Sequence, residues 1–123
     1  MAKIIVFDSG LGSLSIIKSI RKRINAEVIY FADQLSYPYG TKSVSQLYKI
    51  IKKTILKLQE KFKPDIIIVG SNTLSLLLNI EKKNKIIGVF PPLKEAKLKT
   101  KTGHIGILAT RSVVKSKVLN NYI

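Results

Sequence analysis

Short apolar runs separated by segments of helical periodicity constrain this chain more than any other feature. Lys3 to Phe7 is a continuous apolar run, as a strand covered on both faces requires. Asp8-Ser9-Gly10-Leu11-Gly12 reads as a turn, after which Ser13 can cap a helix carrying Leu14, Ile17, Ile20 and Ile24 on one face. Glu27 to Ala32 reads as a second strand and Asp33 to Gly40, with Pro38, as a loop. Ser43 then precedes the longest helical stretch, where Val44, Leu47, Tyr48, Ile51, Ile55, Leu58 and Phe62 recur at spacings of 3, 1, 3, 4, 3 and 4. Pro64 ends it. Asp65 to Gly70 is the third and most apolar strand, and Ser71-Asn72-Thr73 leads into a Leu-rich helix from Leu74 to Glu81. Ile86 to Phe90 reads as a fourth strand before Pro91-Pro92, and Ile105 to Ala109 as a fifth, with Ser112 capping a last short helix. Between these lies a basic stretch from Lys94 to Lys101.

Strands alternating with helices imply right-handed βαβ units, so the expected class is α/β, an open parallel sheet with helices on both faces. At 123 residues with 46% hydrophobic content, the chain has enough apolar material for a core without covalent staples. It contains no cysteine, which excludes a disulfide framework, a thiolate metal site and a thiol nucleophile. A single histidine leaves little for a His-based metal site. The apolar runs fall far short of the roughly 20 residues of a membrane-spanning helix, and the N-terminal run meets Asp8 too soon for a signal peptide. The expectation is a cytoplasmic protein without a membrane partner.

The formal charge of +15 raises nucleic-acid binding as a function class. Only three of the 22 cations are arginines (Arg21, Arg23, Arg111), the side chain suited to bidentate phosphate contacts. The lysines are dispersed along the polar faces of the expected helices, for example Lys18, Lys49, Lys53 and Lys57. A solvated lysine-rich surface is the favoured reading and nucleic-acid binding the alternative. Gly10-Leu11-Gly12 is only a weak dinucleotide hint, since a third glycine is missing and Glu27 comes too early for a ribose-binding acid.

In open parallel sheets, ligands bind outside the carboxyl ends of the strands. The polar residues at those ends are Asp8 and Ser9 after the first strand, Tyr37 to Thr41 after the second, and Ser71, Asn72 and Thr73 after the third. Taken singly, each set is ordinary cap and turn chemistry. Three on one rim point to a site instead.

These same loops carry a family resemblance. Phe7 to Gly12, Tyr37-Pro38-Tyr39-Gly40-Thr41-Lys42 and Gly70-Ser71-Asn72-Thr73 resemble the three N-terminal motifs of glutamate racemase, of the cofactor-independent Asp/Glu racemases. Ile87-Gly88-Val89 before Pro92, and Gly103 to Ala109 with Thr110, Val113 and Ser116, follow in the same order. The resemblance implies a flavodoxin-like first domain over residues 1–97 and the incomplete start of a second over 98–123. It implies glutamate as ligand, no pyridoxal phosphate, no metal, and D-glutamate for peptidoglycan as the product. In that family a cysteine from each domain faces one side of the substrate Cα. Carried over by motif, Ser71 occupies the first cysteine's position. Asp8 and Ser9 would contact the substrate amino group, with Asp8 assisting proton transfer, while Tyr39, Gly40, Asn72 and Thr73 would hold the carboxylates.

Two departures follow from the residues present. Ser71 is far less acidic than a thiol, whose reference pKa is about 8.5, and a serine needs an adjacent base. His104 precedes the fifth expected strand, at the opposite end of the sheet. Pro91 stands where the family has the Glu of a Glu-Pro pair, and nothing here matches the segment with the second cysteine. The expectation is a racemase homologue inactive alone. The alternative within the same resemblance is a non-catalytic glutamate-binding or interaction module. Half a cleft also leaves apolar surface exposed, so self-association is expected.

Overall fold

A computed structural model describes residues 1–80 and 84–122. Its centre is a four-stranded, all-parallel sheet in the order β2-β1-β3-β4, from β1 (Ala2–Asp8), β2 (Ala26–Ala32), β3 (Ile66–Val69) and β4 (Ile86–Gly88). Ile5 pairs with Ile29 on one side and Ile67 on the other, and Phe7 with Phe31 and Val69. The α/β class and the parallel sheet with helices on both faces are as expected.

Alternation along β1 divides the core into two layers. Ile5, Phe7, Ile67 and Val69 face α2 (Val44–Phe62), whose Leu47, Ile51 and Leu58 complete one buried cluster with Leu74 and Tyr39. Ile4 and Val6 are buried on the other face, the side of α1 (Leu14–Arg21). There Gly70 lies so close to Ser13 and Ile16 that a Cβ would sit 2.1 Å from Ser13 Oγ. Helix α2 begins as its sequence indicates: Ser43 Oγ accepts from the Gln46 N–H, and Gln46 Oε1 accepts from the Ser43 N–H. It ends on Lys63 in the left-handed conformation, just before Pro64.

Several expectations need correction. Ile105 to Ala109 is not a strand: among the described residues no neighbouring strand pairs with it, and a β ladder needs a partner. The Leu-rich helix is α3 (Asn72–Leu77), starting earlier and ending sooner than expected, with Asn79 already at positive φ. Glu81, its expected end, lies outside the described residues, as does Ile123. The fourth strand stops at Gly88. The basic stretch is helical, as α4 (Leu93–Lys99), because its lysines are good helix formers with Thr100 ending the run. Ile24 lies past the end of α1 and is half-exposed. Beyond α4 come α5 (Arg111–Lys115) and α6 (Val118–Tyr122), and Thr110, not Ser112, takes the position before α5.

No described helix is long and apolar enough to cross a membrane.

Candidate functional site

The strand order 2-1-3-4 places the topological switch between β1 and β3, and ligand crevices of doubly wound sheets open there. Asp8 ends β1 and Ser71 follows β3 by two residues, so both stand at this point.

Asp8 is half-buried, and both its carboxylate oxygens are engaged. Oδ1 accepts from the Ser9 N–H at 2.7 Å, and Oδ2 accepts from the Ser13 hydroxyl at 2.5 Å. Ser13 thus occupies the position before α1 without capping it: its hydroxyl is turned to Asp8 and makes no bond to a helix N–H. Tyr30, from β2, donates its hydroxyl to Gly10 O and closes the same turn. Burial, and then the Asp8 charge, raise the Tyr30 phenol above its usual value.

The loop after β2 is built around Tyr39. Its ring is buried edge-on against Phe7, with centroids 6.2 Å apart, and its hydroxyl donates to Asp33 Oδ2 at 3.1 Å. Burial first, then the Asp33 charge and hydrogen bond, then the Asp8 charge, push this phenol strongly upward, so it stays a neutral donor. With the phenol engaged, and with Tyr39 O and Gly40 O accepting from Lys42 and Ser112, what Tyr39 and Gly40 can offer a ligand is their backbone N–H groups. Asp33 itself is joined to β1, its N–H donating to Asp8 O at 2.7 Å.

After β3, Ser71 is buried and caps α3, its Oγ accepting from the Leu74 N–H at 3.2 Å. Asn72 is exposed. Thr73 is buried, and its hydroxyl pairs with that of Thr110 at 2.8 Å. Ser75, one turn on, accepts from the Val89 N–H at 2.9 Å and fastens α3 to the chain after β4. Asn72 and Thr73 border a cleft of about 640 Å³ whose other walls include Pro91, Leu93, Ile107 and Val113. Asp8, Ser9, Tyr39 and Gly40 do not line that cleft; they lie farther along the rim, joined to it through Thr110. A Cβ on Gly40 would lie 2.7 Å from Thr110 Cβ, so glycine is required at this contact. His104 sits in an exposed turn with its ring on Thr102 O, away from Ser71's own partners. Among the described residues, no group of three or more His, Asp or Glu side chains gathers at metal-binding spacing.

Four participants were not singled out for the site in the sequence. Asp33 follows β2 as Asp8 ends β1, a positional signal that the loop assignment passed over. Ser13 carried the signal of a cap, and Ser112, expected as a cap, reaches the Tyr39 loop instead. Thr110 was legible only as part of a motif.

Rim and sheet order define an α/β module with polar loops gathered at its switch point. Comparison with known proteins makes this specific. No protein-family model matches the chain. It is 40% identical over 120 residues to the glutamate racemase of Aliarcobacter butzleri, covering 93% of this chain and 46% of that protein. Escherichia coli glutamate racemase, solved with L-glutamate and the activator UDP-MurNAc-ala, superposes with a TM-score of 0.88 at 31% identity, over 98% of this chain and 47% of that one. The glutamate racemase from Aquifex pyrophilus superposes with a TM-score of 0.82 at 34% identity, over 97% and 49%. The chain is a glutamate racemase homologue, corresponding to the N-terminal half of those enzymes. It spans about half the length of the curated relatives it matches.

Proposed function

We propose that the rim is one half of a glutamate cleft, and that this chain by itself holds the amino acid without racemising it. The observation that carries the reading is Ser71. It stands at the switch point with its hydroxyl buried and occupied by the Leu74 N–H. A proton-transfer group at that position needs a thiol-like acidity or a neighbouring base, and Ser71 has neither in its hydrogen bonds. Asp8 is held by Ser9 and Ser13 in a fixed orientation, suited to receiving an ammonium group. Asn72 and Thr73, with the backbone N–H groups of Tyr39 and Gly40, supply the carboxylate side. What supports glutamate as ligand is the superposition on the E. coli enzyme, whose structure contains it.

In this reading residues 98–123 begin a second domain, and the unpaired Ile105–Ala109 segment is the edge on which its sheet would build. No pyridoxal phosphate or metal takes part. By descent the chain is cytoplasmic, and the ancestral reaction supplies D-glutamate for peptidoglycan. Ligand pockets normally bury most of the ligand, so half a cleft binds weakly. Isothermal titration with L- and D-glutamate tests this: the expected result is a measurable heat at millimolar ligand that Asn72→Ala diminishes. No heat at that concentration sinks the reading.

A further inference from the structure

We infer that Ser112, on α5, is a positioning residue for the Tyr39–Lys42 loop and sets how well that loop receives a ligand carboxylate. The inference rests on the rim being a glutamate half-site.

Ser112 is expected from sequence to cap a helix, yet its hydroxyl points across to a loop 70 residues earlier. It donates to Gly40 O, and Lys42 O lies 3.1 Å away as a second acceptor. Two carbonyls of one short loop are thus gathered on a single hydroxyl. Because the peptide unit is planar and trans, fixing Gly40 O also fixes the opposite direction of the Thr41 N–H. The contact is enforced from both sides. Val113, the next residue, is 1% exposed, and Thr110 packs against Gly40 where no Cβ fits. Thr110 also pairs with Thr73, so α5 braces the Tyr39 loop and the start of α3 together. At its start the loop is anchored by the buried Tyr39 ring and its bond to Asp33, but beyond Tyr39 it has only local bonds of its own. The Lys42 N–H closes onto Tyr39 O at 3.1 Å, and the Thr41 hydroxyl and Lys42 ammonium both turn back to Pro38 O. Without Ser112 the Gly40 and Lys42 carbonyls lose their shared donor, and the peptide planes beyond Tyr39 are held by these local bonds and the Thr110 contact.

The test compares Ser112→Ala, which deletes the hydroxyl, with Ser112→Thr, which keeps it. Two readouts are taken on the full chain: amide hydrogen exchange in the free protein, and titration with L-glutamate. Expected for Ser112→Ala is faster exchange at Lys42 with unchanged protection at Ile5 and Ile67. L-glutamate binding should weaken about three- to ten-fold, the range of one net hydrogen bond. Ser112→Thr should restore both readouts to within about two-fold. If the wild-type chain binds glutamate and Ser112→Ala binds it equally well, the positioning role is wrong and the half-site stands. If the wild type binds no glutamate, the half-site fails, and with it the inference that Ser112 serves it. Faster exchange spread equally over Lys42, Ile5 and Ile67 would also overturn it, because that pattern reports a loss of global stability.

Discussion

Replacing Gly70 by alanine should damage the Asp8 site from behind the sheet, and replacing Ser13 as well should remove most of the added damage. In the Gly70→Ala variant the new Cβ would stand 2.1 Å from Ser13 Oγ, 2.7 Å from Ser13 Cβ and 3.2 Å from Ile16 Cδ1. Ser13 is 1% exposed, so its side chain has no free space to move into. Overpacking of this kind costs about 1–3 kcal/mol. The displaced hydroxyl also abandons Asp8, a charged acceptor, and such bonds contribute about 1.5–3 kcal/mol. Together the loss should reach about 2.5–6 kcal/mol. Ser13→Gly alone forfeits the Asp8 bond at about 1.5–3 kcal/mol. It loses little as a cap, because the hydroxyl makes no cap bond. In the double variant only the flexible tip of Ile16 still meets the new Cβ. Its stability should therefore match that of Ser13→Gly within about 0.5 kcal/mol. Urea unfolding followed by far-ultraviolet circular dichroism measures all four corners of the cycle. Additive losses, or a cost for Gly70→Ala below about 1 kcal/mol, would refute the packing argument.

The Tyr39 phenol gives a pH-dependent prediction. It is held protonated above its ordinary value of 10.0, so its contribution is complete below pH 10 and declines above it, where the unfolded chain loses a proton that the folded chain keeps. Tyr39→Phe lacks this component, and the stability gap between wild type and variant should narrow by about 1.4 kcal/mol per pH unit above pH 10; urea titrations giving a constant gap would contradict it. Ser71→Ala should cost about 1 kcal/mol through the lost cap while leaving L-glutamate affinity within about two-fold, and a large affinity loss would assign Ser71 a ligand contact. Light scattering should detect concentration-dependent association, because Leu98 and Leu108 are almost wholly exposed and Val114 is 62% exposed. A monodisperse monomer at all concentrations would count against it.

The parts of the fold that were legible in sequence are those whose pattern is local. The apolar runs of β1 and β3, the long stripe on α2 and its Ser43 cap needed no tertiary information, and the parallel order followed from alternation. Ile105 to Ala109 has the residues of a strand, but pairing belongs to a neighbour, which no local pattern reveals. The helix over Leu93–Lys99 was hidden because its sequence registers only as a basic stretch, and its one-sided packing is not a local pattern. At the candidate site, the rim positions of Asp8, Tyr39 and Ser71 followed from their places after strands. Their hydrogen bonds were not. Ser13 and Ser112 both look like caps, and only the folded chain shows that each hydroxyl serves a distant partner, the Asp8 carboxylate in one case and the Gly40 carbonyl in the other. Tyr39, which the resemblance implies holds a ligand carboxylate, spends its phenol on Asp33 instead.

Whether this half-site holds glutamate without moving its Cα proton can be read directly from proton exchange. The purified chain, with its fold verified by circular dichroism, should be incubated with L-glutamate and then with D-glutamate in D₂O, following the Cα proton by NMR. The Cα signal should persist for both enantiomers. Loss of that signal, abolished by changing Asp8 or Ser71, would contradict that expectation and make the rim a working proton-transfer site.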